Sequence, residues 1–547
     1  MSAWLETMGW MLACAAVLVG LGAAAQRALA RAEATSPARA FWSGLFLSMP
    51  LLFAWHLFAP VDSKAAGALA LLGGAGLVWE RRALLAGIDR LRREHRLSLV
   101  AWVLLWCALP ALTLQPLTCI DGGLYFVAAV KWHAGFAQVP GLQATNPFST
   151  LNLGAFVLTA AVGTGPFANE GHLVFNGLLA WWGLPLGIGA LERLARAGSP
   201  RALAVTLAAG PGVDLLLDDR MSCPSADVGV AWLGLAMTAM ALGPPRSSAT
   251  LKGSLLGIVL APLFKLSLAP FALVLALLVV WRHRALLERR ALAWACALAG
   301  LAWLPFLAGN VIVSGYPLYP SSALGFPVDW ALPHEMVARV GTIIRSYSMH
   351  DGIQGTPTRA EQLARLLLMN RGVLLPAVLL LTGTLATLWR VMRGARLERS
   401  PLAAAWVFAC LWFWLAPDPR FAGAGLWVAG AMAWWAALPP GPDLATRLLV
   451  TGVSVLLVFG GLPYLELPSQ LPRGRPTLPN NSGDPRFKLS DGTELLDCTP
   501  RGGQYPQCWS VPCAALFPVG LTRRDAGDLS RGFRLPPDAV LVPISVE

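Results

Sequence analysis

"CIDGGLYFVAAVKWHAGFAQVPGLQATNPFSTLN", residues 119–152, puts an isolated acid, a Gly pair, Tyr, Lys, Trp, His, two prolines and a terminal Asn into one connection between apolar runs. The basic stretches on either side of it place it. "ERRALLAGIDRLRREHR" (Glu80–Arg96) precedes it, separated by one apolar run near 97–115, and "ERLARAGSPR" (Glu192–Arg201) follows it. Lys and Arg gather in cytoplasmic connections. The stretch between them therefore lies on the non-cytoplasmic side. Two apolar runs, about 150–165 and 168–191, separate it from Glu192, yet only an odd number of crossings satisfies both ends. Phe148–Thr164 is accordingly expected to enter part-way or lie at the interface, and 168–191 to be the true span. Backbone stops at membrane depth only where protein or a wet cavity satisfies it, so a cavity is expected there.

The rest of the chain supports a membrane setting. Of 547 residues 56% are hydrophobic, only 13% are charged and 23 are Trp, with a mean hydropathy of +0.58. Such a chain cannot be kept in water around a single core. The formal net charge of +12 sits in short clusters between apolar runs, which points to topology and anionic membrane lipid, and away from nucleic acid. Earlier apolar runs fall near 4–25, 41–60 and 65–80, with the basic "QRALARAEATSPAR" (Gln26–Arg39) between the first two. The N-terminus is then outside. Glu6, with no Lys or Arg before Arg27, argues against a cleaved signal peptide.

Further spans are expected near 202–217, 226–243, 251–265, 267–282, 291–310, 371–390, 401–416, 420–438 and 447–464. The fold class is an all-α polytopic membrane protein of about 14 helices with a small C-terminal periplasmic tail domain. Residues 1–96 hold extra N-terminal helices, 97–463 the core, and 464–547 the tail. Polar outer segments then comprise 116–150, "LLDDRMSCPSAD" (Leu216–Asp227), the connection from Gly309 to about Asn370, "APDPRFAG" (Ala416–Gly423), and the tail.

Asp121 reads either as a helix-end or turn acid before Gly122 and Gly123, or as a general base or metal ligand at a cavity edge. Asp218 and Asp219 sit at a helix exit and Asp227 near the next helix start. These three are either structural or a set of carboxylates relieved by a cation or shared proton. Lys265, inside "LAPLFKLSLAPFALVL", must snorkel, pair with an acid or face a wet cavity. An anionic headgroup is its natural partner. "SGYPLYPSSALGFPVDW" is an ordered, turn-rich surface, with Asp329, Arg345 and His350 as candidate polar groups of that connection. Asp418 and Arg420 form either a mutual clamp or a phosphate grip. Tyr125, Trp132 and Trp330 read either as headgroup-level belt residues or as platforms for sugar faces. Three tail cysteines, Cys498, Cys508 and Cys513, suggest one disulfide with a spare thiol. Its connectivity is open, and Cys508 with Cys513 is the nearest pair. No Walker A, dinucleotide fingerprint or zinc-type spacing occurs. A transferable group must therefore arrive already activated, as on a lipid-linked phosphate donor.

An early Asp in the first outer loop, a partly embedded helix after it, the "SCPSAD" turn and an apolar run carrying Lys resemble the GT-C superfamily of integral-membrane glycosyltransferases. "DGGLYFVAAVKW…VPGL", "SGYPLYP…FPVDW" and "APDPRF" resemble more closely a bacterial branch of large GT-C-like proteins, over roughly residues 97–440. The resemblance implies a periplasm-facing enzyme of the bacterial inner membrane, with both termini periplasmic, that takes sugar from a polyprenyl-phosphate-sugar donor. The sugar passes to a lipid or glycan acceptor. Asp121 matches the family's base or metal-binding Asp, and a divalent metal is one option for an otherwise open cofactor. The second acid found beside it in many members is Gly122 here. In this reading Lys265 and Arg420, with Arg345, hold phosphate. The alternatives are O-antigen ligase or polymerase chemistry, a lipid-glycan transporter, and a non-catalytic envelope-assembly protein.

Overall fold

A computed structural model of the protein describes residues 2–30, 36–119, 121–146, 152–216, 219–243, 247–346, 358–395, 397–415, 417–438, 442–460, 472, 474–478, 486–498, 508–514 and 520–539. Helices dominate them. The first four are α1 (Ser2–Ala30), α2 (Pro37–His56), α3 (Ser63–Glu94) and α4 (Arg96–Ala108). The short α5 (Pro110–Thr113), α6 (Val127–Gly135) and α7 (Gly154–Val162) precede the long α8 (His172–Ala197). Then come α9 (Pro200–Leu207), α10 (Gly210–Leu216), α11 (Ala226–Leu242), α12 (Ser248–Leu260), α13 (Ala269–His283) and α14 (Arg289–Ser314). The series closes with α15 (His334–Ser346), α16 (Arg359–Met369), α17 (Arg371–Met392), α18 (Ser400–Leu415), α19 (Pro419–Ala422), α20 (Gly425–Ala437) and α21 (Leu444–Phe459).

Their limits follow local chemistry. Asp62 caps α3 by accepting from the backbone of Lys64 and Ala65, Asp443 caps α21 through Thr446, and a Thr358–Glu361 capping box starts α16. Left-handed glycines, Gly198 and Gly315, end α8 and α14. Helices α1, α2 and α3 pack through small residues: a Cβ on Gly44 would lie 1.8 Å from the Leu18 carbonyl oxygen, and one on Gly20 1.9 Å from that of Gly73. Such close backbone approach is how helices associate without a hydrophobic drive between them. The three share one core with α8, α11 and α12.

Among the described residues, six helical stretches are long and apolar enough to cross a membrane: Ala3–Ala28, Arg96–Thr113, His172–Ala197, Leu266–Leu286, Leu292–Ser314 and Arg371–Met392. Large apolar side chains point outward from the bundle, with Trp79, Leu301, Leu385 and Leu456 between 63% and 75% exposed. A water-soluble fold would bury such a surface; here it is a lipid-facing one. The protein is a helical membrane protein.

Three expectations change. The basic stretch Glu80–Arg96 is no open connection, because α3 runs helical through it to Glu94; "ALLAGIDRLRRE" carries an apolar stripe that buries Leu84 and Gly87. The run 202–217 is broken into α9 and α10. The outer connection 309–370 contains α15 and α16 besides its turns.

The tail builds two small sheets. Strand β1 (Arg486–Lys488) pairs antiparallel with β2 (Glu494–Asp497), which runs parallel to β3 (Cys513–Ala514), and β4 (Thr522–Arg523) pairs antiparallel with β5 (Phe533–Arg534). Too short for a core of its own, the tail shares one: Leu495, Leu521 and Phe533 pack with Trp132, Val139, Val313, Tyr319 and Val337.

Candidate functional site

The opening stretch owes most of its polar residues to docking. The Gly123 carbonyl accepts from the Cys508 backbone N–H at 2.5 Å, and the Pro140 carbonyl from Phe533 at 2.9 Å. Lys131 donates to the Trp509 carbonyl, and burial lowers its pKa from the usual lysine range. His133 lies 3.4 Å from the His56 ring, its pKa held well below the usual value by burial and then by that neighbour. Asn152 donates to the Phe306 carbonyl at 3.2 Å and accepts from Gln138 at 3.0 Å. Asp121 is the acid of this stretch.

Asp121 begins a π-helical turn, Gly122–Phe126, and its carboxylate does not cap that turn. Gly122 is sterically required, since a Cβ there would lie 2.4 Å from Leu117 and 2.7 Å from the Cys119 sulfur. A second acid beside Asp121 has no room. The residues therefore do not make the paired-carboxylate metal site that the resemblance implies, and no step is assigned to a metal.

A disulfide, Cys119–Cys223, ties the Asp121 segment to the "SCPSAD" turn across 104 residues of sequence. Ser222 reinforces the junction by donating to the Pro116 carbonyl at 3.3 Å, and Asn176 donates to the Cys223 carbonyl at 2.5 Å. Ser225 then caps α11, whose first turn presents the buried Asp227. Lys265 reaches it, Nζ to Oδ1 at 2.5 Å. Lys265 is not inside a helix: Pro262 and Pro270 stop α12 and start α13, leaving it extended between two short 3-10 turns. The Phe264 carbonyl there accepts from Ala155 at the start of α7, the nine-residue helix buried along its length.

The other face of the Lys265 ammonium lies over the Phe421 ring, 4.9 Å from its centroid. Phe421 adjoins a fork in which Arg420 donates from Nε and Nη2 to the two Asp418 oxygens at 3.4 and 3.3 Å. The clamp reading of Asp418 and Arg420 is thus realised. The structure brings together Asp227, Lys265, Phe421 and the Arg420–Asp418 fork, and bonds the Asp121 segment to the same turn.

Other sequence candidates lie elsewhere. Asp329 is forked by Arg524 of the tail at 2.9 and 3.1 Å, a hydrogen bond that lowers its pKa. Trp330 carries the same guanidinium over its ring at 4.7 Å, so its face serves tail docking. Trp132 is only 2% exposed and packs against Phe136 and Phe533; a buried ring offers no face to a sugar. Tyr125 packs edge-on to Phe126. Arg345 is exposed at the end of α15, bonding Thr342 one turn back. Asp218 and His350 lie outside the described residues, and of Asp219 only its place at the start of a 3-10 turn is described.

The tail disulfide is Cys498–Cys508, and not the pair nearest in sequence. Cys513 stays a buried thiol, its pKa raised by burial, with the three sulfurs within 4.8 Å of one another. Sequence reading missed Cys119–Cys223. The available signal was that both cysteines fall on segments assigned to one face. Mass mapping of unreduced protein is expected to yield Cys119–Cys223 and Cys498–Cys508 peptides. Cys223→Ser should lower stability by about 2–5 kcal/mol, checked by thermal unfolding in detergent; four free thiols at these positions would reject both bonds.

Fold and site define a helical membrane protein with an ion-paired polar site set in helix breaks. The chain belongs to the family described as Domain of unknown function (DUF8201), whose model matches residues 7–427. No curated protein and no solved structure matches it.

Proposed function

We propose that this protein is a membrane glycosyltransferase that moves sugar from a polyprenyl-phosphate donor to a cell-envelope glycan or lipid acceptor at the tail-bearing end. One observation carries the reading: a lysine at a helix break, ion-paired to a buried acid whose turn the Cys119–Cys223 disulfide ties to the Asp121 segment. A cation set among apolar helices costs too much to keep without use or partner. In the proposed step, Asp121 takes the proton of the acceptor hydroxyl as its oxygen attacks the anomeric carbon. The bond from that carbon to the phosphate oxygen breaks, and the electron pair leaves with the lipid phosphate. Lys265, which has three N–H donors and gives one to Asp227, stabilises that charge.

The supporting topology has about 14 crossings, both termini in the bacterial periplasm, and the ends near Glu94, Arg196, Arg282 and Arg447 in the cytoplasm. Links among these ends support it: Arg196 donates to the Glu94 carbonyl, Arg447 to that of Arg196, and Arg282 pairs with Glu398. At the other end Arg475 joins Glu6 and Glu170. Reporter cysteines placed in 116–150, 309–370 and the tail are expected to label from outside, and those in 81–96 and 390–400 from inside; inverted labelling would remove the site from the donor. The direct test is transfer of labelled sugar from a polyprenyl-phosphate carrier by membranes containing the protein. No transfer above membranes lacking it, across donors and acceptors of the host envelope, would overturn the reading.

A further inference from the structure

At the end of the bundle away from the tail, a cavity of about 640 Å³ opens between α1, α2 and α3 on one side and α4, α8, α11 and α12 on the other. That volume is typical of ligand sites, which span roughly 300–1,000 Å³. Its walls are hydrocarbon and indole, including Phe46, Leu84, Leu260 and Trp182. Its charged lining is one-sided: Arg39, Arg90 and Arg193 against the single acid Glu94. His95, also in the lining, is engaged with Glu192 at 3.2 Å.

An occupant with phosphate oxygens at one end and hydrocarbon at the other matches both the arginine rim and the apolar walls.

We propose that this cavity binds an anionic phospholipid, its phosphate against Arg90 and Arg193 and an acyl chain along the apolar walls between the first three helices and the rest. The charge selects the headgroup. A free anion would leave the hydrocarbon walls unused, and a zwitterionic lipid would bring its own cation to a rim that already has an excess of them. Guanidinium groups suit phosphate because their planar donors match two of its oxygens at once. The site is separate from the Asp227–Lys265 site, and nothing in it depends on sugar transfer.

The test is native mass spectrometry of the full-length protein in detergent, titrated with phosphatidylglycerol and with phosphatidylcholine of the same acyl chains. Wild type is expected to hold one phosphatidylglycerol about 30-fold more tightly than phosphatidylcholine, the preference that two basic residues give. Arg90→Gln with Arg193→Gln should bring the two lipids to equal affinity. Gly253 lines the cavity, and a Cβ built there meets no heavy atom within 4 Å. Gly253→Leu should therefore expel the lipid while leaving the lipid-free melting temperature and both arginines unchanged. Equal retention of both lipids by wild type, an unaltered preference in the arginine variant, or full displacement by inorganic phosphate would each overturn the proposal.

Discussion

On the proposed function, Asp121→Asn is expected to lower sugar transfer by about two to four orders of magnitude, the usual worth of a positioned acid or base. The substitution keeps size and hydrogen-bonding capacity but cannot accept a proton. The segment should stay in place because it is held by Cys119–Cys223. Transfer of labelled sugar in membranes, normalised to expressed protein, measures the loss. Mass mapping of Cys119–Cys223 in the same sample confirms that the segment is in place. Wild-type transfer by the Asn variant would end the assignment, and Asp219 would be the next residue to replace, since Asp227 is already committed to Lys265.

Lys265→Met produces the second large effect, and it acts in two ways. Removing the ammonium leaves Asp227 buried without its cation, and breaking a buried pair on one side costs about 3–5 kcal/mol. Donor binding is lost as well. The double variant Lys265→Met with Asp227→Asn separates the two, since an amide beside a thioether carries no uncompensated charge. It should recover most of the thermal stability in detergent while transfer stays low. If the double variant recovers transfer together with stability, Lys265 is structural and the phosphate role fails. If the single variant is as stable as wild type, the ion pair contributes nothing.

Helix positions were legible from the sequence because hydrocarbon thickness imposes a length on each apolar run: the runs expected at 226–243 and 371–390 are α11 (Ala226–Leu242) and α17 (Arg371–Met392). Lys265 was legible as a misplaced charge. Its partner was not, because Asp227 stands 38 residues earlier in the chain, on a neighbour that only three-dimensional packing selects. The same holds for Cys119 and Cys223. Trp132 and Trp330 misled for a related reason: an aromatic ring at headgroup level has the same sequence signature whether it faces a ligand or a docked domain. Gly122, which stands where a second acid was sought, is explained by a crowded disulfide. That reason is not local in sequence.

In chain order the tail comes after every helix it docks on. The carbonyls of Gly123 and Pro140, the Asp329 carboxylate and the Lys131 ammonium receive their partners from residues 508–533. Glu6, in α1, receives its partner from Arg475, 469 positions later. Until residues 508–533 are made, therefore, these groups and Trp132 wait without their tail partners, and a chain that stalls after α21 leaves open a face that the docked tail otherwise covers.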